Sequence, residues 1–249
     1  MTTPLQGKTA LVTGGSRGIG AAITKRLAAD GAAVTFSYAR AADVASQLVD
    51  EVVHQGGRAA AVQADQADSA SCQRLVSHAV DAFGPLDILV NSAGVYQTGT
   101  IDDPGRDDAV FLEQLHTNVV GVVATTRAAV MTMNEGGRII SVGTAGASHA
   151  PFPGIGDYVA SKAALAAYTR SWSRDLGHRG ITVNIVQPGA VNTDMNPADG
   201  PNAELQASLN SLRRFADPSE IAALVAFLAG PEAGFITGTT IDIDGGLNA

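Results

Sequence analysis

The sequence predicts an α/β protein built on one doubly wound parallel sheet of about seven strands, with helices on both faces. Apolar strand-like runs alternate with amphipathic helical stretches from end to end. A glycine-rich turn separates the first apolar run from the first helical stretch. No Pro/Ser-rich linker or change in composition divides the chain. We therefore expect a single domain over residues 1–249.

Seven apolar runs are the candidate strands. They cover residues 8–13, 33–38, 59–63, 86–91, 138–142, 182–187 and 240–243. Each is separated from the next by a segment long enough for a right-handed crossover helix, which indicates parallel pairing. Residues 191–215 depart from this alternation and predict a long loop with a short helix. A loop of that length in a compact domain is usually functional, so we expect a substrate loop there.

Composition excludes several classes of protein. The chain has a net charge of −8 and no run of Lys or Arg, so binding to nucleic acid is not expected. Neither a signal peptide nor about 18 consecutive apolar residues is found, which predicts a cytoplasmic protein that does not enter membranes. Cys72 is the only cysteine, and no Cys/His grouping has the spacing of metal ligands. Disulfides within the chain and a metal site are therefore not expected.

The glycine-rich turn at residues 13–20 predicts a dinucleotide site of the Rossmann type. It lies between the first strand and the first helix, where backbone N–H groups and the helix dipole can hold a pyrophosphate. Glycine lets the chain turn sharply and lets a phosphate approach the backbone. The predicted cofactor-binding residues of this turn are Gly14, Ser16, Arg17, Gly18, Ile19 and Gly20.

The second strand indicates which dinucleotide is bound. Proteins that bind NAD commonly place Asp or Glu at the end of this strand, where it binds the ribose 2′-OH. No acid occurs in residues 34–40. Arg17 and Arg40 can instead flank a 2′-phosphate, with Ser37 donating a hydrogen bond, so the sequence favours NADP. The alternative is that both arginines are merely solvated.

Tyr158 and Lys162 form a candidate acid/base pair. They lie four residues apart at the start of a helical stretch, and therefore on one helix face. A free phenol has a pKa of about 10 and stays protonated at neutral pH. A nearby cation stabilises the phenolate, so we expect Lys162 to lower the pKa of Tyr158.

The motifs together resemble those of the short-chain dehydrogenase/reductase family. They occur in the family's order over nearly the whole chain, at residues 13–20, 91–94, 118, 158–162, 188–193 and 236–246. The resemblance implies that Tyr158 exchanges a proton with the substrate oxygen and that Lys162 binds the nicotinamide ribose and tunes the phenol. It also implies that Asn118 holds a water in a proton relay.

The resemblance implies further cofactor contacts. Asn91, Ala93 and Gly94 would line the path from the adenine ribose to the nicotinamide. Asp65 and Gln66, after the third strand, would meet the adenine. The nicotinamide amide would be oriented by Pro188, Gly189, Val191 and Thr193.

One catalytic position departs from the family pattern. The family has a serine about 13 residues before the tyrosine, and counting back from Tyr158 gives Ala145. A loop longer by one residue puts Thr144 in its place, and a threonine hydroxyl can donate the same hydrogen bond to a carbonyl oxygen. We assign the polarising role to Thr144, with Ser148 and Ser141 as the alternatives.

The implied activity is interconversion of a small ketone or aldehyde with its alcohol, using NADP(H). Candidates for the substrate wall are Val95, Tyr96, Phe152, Pro153, Ile155 and Met195, although ordinary packing explains each of them equally well. Helix 158–176 carries more apolar residues than one core-facing stripe needs, which predicts a contact between subunits. These residues are Ala163, Ala164, Leu165, Ala167 and Trp172. The resemblance suggests a homotetramer.

Two other functions remain open. A nucleotide-binding regulatory protein could keep this fold without turnover, and residues 196–201 and 230–233 resemble a branch of the family that binds a cyclic dinucleotide. A reductase for substrates on acyl carrier protein would need a basic docking patch. Residues 130–137 supply no Lys or Arg, so a small free substrate is preferred.

Overall fold

A computed structural model describes residues 3–249 of the chain. In these residues a single sheet of seven strands, all pairing in parallel, has helices on both of its faces. The strands are β1 (Thr9–Thr13), β2 (Ala33–Tyr38), β3 (Arg58–Gln63), β4 (Leu86–Asn91), β5 (Met133–Val142), β6 (Thr182–Pro188) and β7 (Thr240–Ile243). The order across the sheet is β3-β2-β1-β4-β5-β6-β7. The predicted fold class is confirmed.

The helices fill the crossovers between the strands. They are α1 (Gly18–Ala29), α2 (Ala42–His54), α3 (Ser69–Phe83), α4 (Asp108–Leu115), α5 (Gly121–Val130), α6 (Gly146–His149), α7 (Gly156–Leu176), α8 (Ala203–Leu209) and α9 (Pro218–Ala229). A π-helical turn at His116–Val120 joins α4 to α5. Helix α8 lies within the segment 191–215. No helix in the part of the chain described here is both long and apolar enough to cross a bilayer.

Successive side chains of the buried strands point to opposite faces of the sheet and contribute to two cores, one on each side. In β1, Ala10 and Val12 pack in the core that contains α1, α2 and α9. The intervening Leu11 packs in the opposite core, with residues of α3, α5 and α7. Successive side chains of a strand point to opposite faces, so a continuous apolar run serves both layers.

Local sequence sets several helix ends. The Asp68 side chain caps α3 by accepting hydrogen bonds from the backbone N–H groups of Ala70 and Ser71. Helix α9 begins with a capping box between Asp217 and Glu220. Such side chains satisfy N–H groups that have no partner inside the helix.

The largest difference from the predicted strands is at β5. It begins at Met133 rather than at residue 138, because Met133 already pairs with Leu86 of β4. The pairing is irregular between Leu86 and Ile88, and Gly136 has a φ of +71°. The starts of β1 and β3 and the end of β6 each differ by one residue, and β2, β4 and β7 match their predicted bounds.

The strand order reverses between β1 and β4. The chain runs outward from β1 to β3 and then returns to the other side of β1 as β4. The Thr13 hydroxyl ties the two strand ends together by accepting hydrogen bonds from Ser92 N and Ala93 N, both at 3.1 Å. In open α/β sheets such a reversal leaves a crevice beyond the carboxyl ends of the strands, where ligands bind.

Candidate active site

The glycine turn has the cradle geometry that a pyrophosphate needs. Gly14 has a φ of +64°, and a Cβ there would lie 2.8 Å from the Cα of Ala93. A Cβ on Gly20 would lie 2.2 Å from the carbonyl oxygen of Gly14. Only glycine allows α1 to begin this close to the turn, so the N–H groups at its first residues face the crevice.

The residues predicted to meet a 2′-phosphate divide into two groups. Arg17 and Arg40 are exposed, and neither forms an ion pair within residues 3–249. Ser37 is only 3% exposed, and its Oγ accepts a hydrogen bond of 2.9 Å from Gly14 N. Ser37 therefore stabilises the glycine turn by this hydrogen bond. The guanidinium groups of Arg17 and Arg40 are free to bind a ligand.

The two residues predicted to meet the adenine, Asp65 and Gln66, differ in exposure. Asp65 is exposed, and its carboxylate accepts a hydrogen bond from Ala67 N. Gln66 is buried, and its Nε2 donates to the Thr125 hydroxyl at 3.3 Å. A Cβ on Gly121 would lie 1.8 Å from the Gln66 carbonyl oxygen, so α5 packs directly on this segment. The side chain of Gln66 is thus directed into the protein, and Asp65 alone faces outward.

Residues 91–94 form the floor of the crevice. Asn91 is buried, and its Nδ2 donates to the Thr126 hydroxyl at 3.1 Å, which joins β4 to α5. Ala93 and Gly94 are partly exposed. A Cβ on Gly94 would lie 3.2 Å from both Asn118 Oδ1 and Lys162 Nζ. This glycine therefore lets the chain pass close to two of the predicted catalytic side chains.

Asn118 lies at the middle of the π-helical turn and is fully buried. Its Oδ1 accepts from Val95 N at 2.9 Å, and its Nδ2 donates to Val95 O at 3.0 Å and to Ser161 Oγ at 3.1 Å. Both amide protons are therefore used by the protein. A water held at this residue would have to contact its backbone.

Tyr158, Ser161 and Lys162 share one face of α7, as their spacing predicts. The Lys162 ammonium is buried, donates to the Val142 carbonyl at 3.0 Å, and lies 5.9 Å from the centre of the Tyr158 ring. Ser161 donates to the Tyr158 carbonyl at 2.7 Å and receives the bond from Asn118. The structure thus brings Asn118, Tyr158 and Lys162 together.

The pKa values differ from the sequence-based expectation. Burial raises the pKa of Tyr158 to about 12, the neighbouring Tyr96 acts in the same direction, and a side-chain hydrogen bond with Thr144 opposes both. Burial also lowers the pKa of Lys162 to about 8. The net shift of the Tyr158 pKa is therefore upward, opposite to the predicted lowering. Removal from water dominates, and the ammonium is bonded to the Val142 carbonyl.

Of the hydroxyls considered for the polarising role, that of Thr144 lies close enough to the phenol to lower the pKa of Tyr158. Ser141 is buried within β5, and the Ser148 hydroxyl donates to Gln187 at 3.4 Å. Thr144 also accepts a hydrogen bond from Gly146 N at 3.3 Å. The closeness of its hydroxyl to the phenol favours Thr144 over the two alternatives.

The segment after β6 connects the catalytic loop to the glycine turn. Pro188 O accepts from Ala145 N at 2.8 Å, and Gly189 N donates to Ile243 O at 3.2 Å. Val191 is buried and bridges to Ala216. The methyl group of Thr193 would lie 3.3 Å from a Cβ on Gly18. The start of the loop 191–215 thus lies against the first turn of α1.

The walls beside Tyr158 come from two loops. The Tyr96 ring meets the Tyr158 ring edge to face, with centroids 4.8 Å apart and an interplanar angle of 85°. Gly99 N donates to Gly154 O at 2.8 Å, which joins the loops that carry the predicted wall residues. Ile155 is buried, and Met195 is 54% exposed.

Sequence reasoning missed several residues that hold this arrangement. Ser161 connects Asn118 to α7, and Gln114 receives a hydrogen bond of 2.7 Å from Gln97 N. Arg106 pairs with Asp157, directly before Tyr158. No local pattern marks these partners, because each contact joins segments distant in the sequence.

Comparisons with known proteins identify the family of this chain. The sequence model of a family described as "Enoyl-(Acyl carrier protein) reductase" matches residues 14–248. A crystal structure of a short-chain dehydrogenase from Burkholderia cenocepacia J2315 in complex with NADP is 50% identical in sequence. The match covers 99% of this chain and 100% of that chain, with a TM-score of 0.95.

Two curated relatives have different descriptions. The cyclic-di-GMP-binding biofilm dispersal mediator protein of Escherichia coli (strain K12) is 43% identical over 245 residues, 98% of each chain. A 3-oxoacyl-[acyl-carrier-protein] reductase of Synechocystis sp. is 37% identical over 248 residues, 98% of each chain. Matches of this identity over nearly the full length confirm the resemblance found in the motifs. The chain belongs to the short-chain dehydrogenase/reductase family.

Proposed function

We propose that the chain is an NADP(H)-dependent oxidoreductase that interconverts a small ketone or aldehyde and its alcohol, with Tyr158 as the acid/base. One observation carries this proposal: Tyr158, Lys162 and Thr144 converge beside the crevice at the carboxyl ends of β1 and β4. Phenol, ammonium and hydroxyl are the groups that protonation of a carbonyl oxygen requires.

The residues present fit a dinucleotide phosphate. The glycine cradle would hold the pyrophosphate at the start of α1, and Arg17 and Arg40 would bind the 2′-phosphate. Asp65 would meet the adenine, and residues 188–193 would orient the nicotinamide. The NADP in the Burkholderia structure supports this assignment. When bound, NADPH supplies a hydride to the carbonyl carbon.

The chain's own groups supply the proton. A phenol with a pKa near 12 keeps its proton at neutral pH, so Tyr158 can donate it to the carbonyl oxygen as the carbon is reduced. Thr144 polarises the same oxygen by a hydrogen bond. Lys162 remains mostly charged at pH 7 and stabilises the phenolate that results. A water held at the backbone of Asn118 would return a proton through Lys162.

The substrate is proposed to be small and free rather than attached to a carrier. The Synechocystis relative acts on carrier-bound substrates by its description, but residues 130–137 of this chain contain no Lys or Arg for an acidic carrier. The substrate would lie between Tyr96, Tyr158 and the loop 191–215. If a carrier-linked substrate is turned over and the activity collapses with rising salt, this preference is wrong.

The proposal also covers the location, the oligomeric state and the partners of the enzyme. A cytoplasmic homotetramer is expected, without nucleic-acid or membrane partners. On α7, Ala163 and Ala167 are exposed and form a face of small residues that a second helix can approach, whereas Leu165 is buried in the subunit's own core. Sedimentation of the purified chain tests this assembly, and a monomer would contradict it.

The proposed activity is tested with NADPH and a panel of ketones and aldehydes, following the absorbance of NADPH. We expect turnover of at least one carbonyl, and we expect Tyr158→Phe to lower kcat by about 10³-fold because the proton donor is lost. The variant should bind NADPH as the wild type does, measured by nicotinamide fluorescence.

Two results would overturn the assignment. If Tyr158→Phe retained full turnover, the phenol would not be the acid. If no carbonyl were reduced and the variant resembled the wild type in every property, the regulatory alternative would be favoured. The description of the Escherichia coli relative motivates that alternative, and titration with cyclic di-GMP would then be the next measurement.

A further inference from the structure

The chain turns back on itself directly after β7. Residues 244–248, here called the closing turn, include Gly245 and Gly246 with φ values of +66° and +84°. Asp244 holds the turn: its Oδ1 accepts from Gly246 N at 2.8 Å, and its Oδ2 accepts from Asn248 N at 2.9 Å. The two glycines with positive φ and the two hydrogen bonds to the Asp244 carboxylate fix where Asn248 lies.

The Asn248 side chain contacts the catalytic loop. Its Nδ2 donates to the carbonyl oxygen of Ala145 at 3.1 Å and to Asp242 Oδ2 at 3.3 Å. Its Oδ1 is buried and has no hydrogen-bond partner among residues 3–249. Burying an amide oxygen without a partner is unfavourable, so the position of this side chain is not explained by its own hydrogen bonding alone.

Hydrogen bonds link the closing turn, the catalytic loop and the segment after β6 into a ring. Ala145 N donates to Pro188 O at 2.8 Å, and Gly189 N donates to Ile243 O at 3.2 Å. A Cβ on Gly189 would lie 2.7 Å from the carbonyl oxygen of Asp244, so these backbones are in close contact. Asn248 closes the ring by returning to Ala145.

We propose that Asn248 is a positioning residue for Thr144. Ala145 directly follows Thr144. Its N–H donates to Pro188 O, and its carbonyl oxygen accepts from Asn248 Nδ2 and from Ser148 N, both at 3.1 Å. Holding the peptide units on both sides of the Ala145 Cα restrains the backbone of Thr144, the preceding residue, and thereby the position of its hydroxyl. This inference rests on the polarising role proposed for Thr144, and it gives the Asp244-Gly245-Gly246 motif a part in the reaction.

The first test is Asn248→Ala, assayed on a carbonyl from the panel. We expect kcat to fall about tenfold because Thr144 is less well oriented in the transition state. The KM for NADPH should change by less than about twofold, since Asn248 contacts none of the residues proposed to hold the phosphates. Asn248→Asp, which keeps the size but loses the donor, should lose at least as much.

Asn134→Ala is the matched control. The Asn134 amide donates to Asp87 at 3.2 Å, at the opposite edge of the sheet. This variant removes the same chemical group and should leave kcat unchanged. If both variants lowered kcat equally, or if Asn248→Ala lowered only the melting temperature, a general loss of stability would replace the positioning role.

A double-mutant cycle separates this inference from the proposed function. In a Thr144→Ala background, Asn248→Ala should cause no further loss of kcat, because the residue through which it acts is gone. If the two losses multiplied, Asn248 would not act through Thr144. If Thr144→Ala alone left kcat unchanged, the proposed polarising role itself would fail.

Hydrogen exchange gives an answer that needs no substrate. In Asn248→Ala, the peptide that contains Ala145 N should exchange at least about fivefold faster than in the wild type, whereas Asn134→Ala should leave it unchanged. Unchanged exchange in Asn248→Ala would show that the ring does not hold the catalytic loop, and would overturn the proposal.

Discussion

The glycine turn and the catalytic group lie at the same edge of the sheet but are built in different ways. The turn occupies residues 14–20, and its tightest contact joins Gly20 to Gly14. The catalytic group takes Asn118 from a π-helical turn, Thr144 from a loop after β5, and Tyr158 with Lys162 from α7. The first is set by backbone sterics within a few residues, and the second by the packing of distant elements.

The two regions also treat positive charge differently. Arg17 and Arg40 beside the turn are exposed to solvent. Lys162 is buried, and its pKa is lowered to about 8. An exposed cation is suited to hold a charged ligand, whereas a buried one can gain and lose a proton near neutral pH. Burial and residue type together make the difference, because an ammonium shifts its pKa readily when it is buried and a guanidinium does not.

The largest effect is expected from breaking the turn. In Gly20→Ala the new Cβ would collide with the Gly14 carbonyl oxygen, and the atoms it meets are backbone atoms of Gly14 and Gly15 rather than a flexible side chain. We expect the free energy of unfolding to fall by about 4 kcal/mol and NADPH binding to be lost. Denaturant unfolding and fluorescence titration measure the two effects.

Gly177→Ala is the matched control, since a Cβ there meets nothing within 4 Å and its φ is −58°. Gly177→Ala should keep the free energy of unfolding and the free energy of NADPH binding within about 0.5 kcal/mol of the wild-type values. Wild-type stability in Gly20→Ala would mean that the turn is not set by sterics.

A somewhat smaller effect is expected from the buried lysine. The folded pKa of Lys162 is about 8, below its ordinary value of 10.5, so the unfolded chain binds this proton more tightly. Raising the pH from about 8 to about 10.5 should therefore stabilise the wild type relative to Lys162→Met. The difference in unfolding free energy should rise by about 3 kcal/mol.

Urea unfolding at several pH values measures this difference. Lys25→Met serves as the control, because Lys25 is exposed and pairs with Glu51 at the surface. Its difference from the wild type should stay nearly flat. A flat difference for Lys162→Met as well would show that the ammonium is not buried.

The smallest effect is expected at the exposed arginines. Arg17→Ala or Arg40→Ala should each raise the Kd for NADPH about thirtyfold, or about 2 kcal/mol, because a charge-assisted hydrogen bond to the 2′-phosphate is lost. NADH, which lacks that phosphate, should bind as before.

Titration with NADPH and with NADH measures the two Kd values, and their ratio reports recognition of the 2′-phosphate. Arg26→Ala, at the far end of α1 and paired with Asp30, should leave it unchanged. Equal losses for NADPH and NADH would show that the arginines do not recognise the 2′-phosphate.

Sequence patterns predicted the strands well where burial is continuous. The bounds of β2 and β4 agree with the structure, because a buried parallel strand is an apolar run ended by turn residues. The first half of β5 was missed. It contains Glu135, Gly136 and Gly137, which disfavour strands, and it is held by the pairing of Met133 with Leu86.

The sequence by itself determined the fold class, the glycine turn, the spacing of Tyr158 and Lys162 on one helix face, and the absence of an acid after β2. These are local properties of the chain. Only the tertiary structure decided that Thr144 acts on the phenol pKa, that Ser37 accepts a hydrogen bond from the glycine turn, and that the phenol pKa rises. Exposure to water and long-range contacts exist only after folding, and the pKa values and hydrogen-bond partners follow from them.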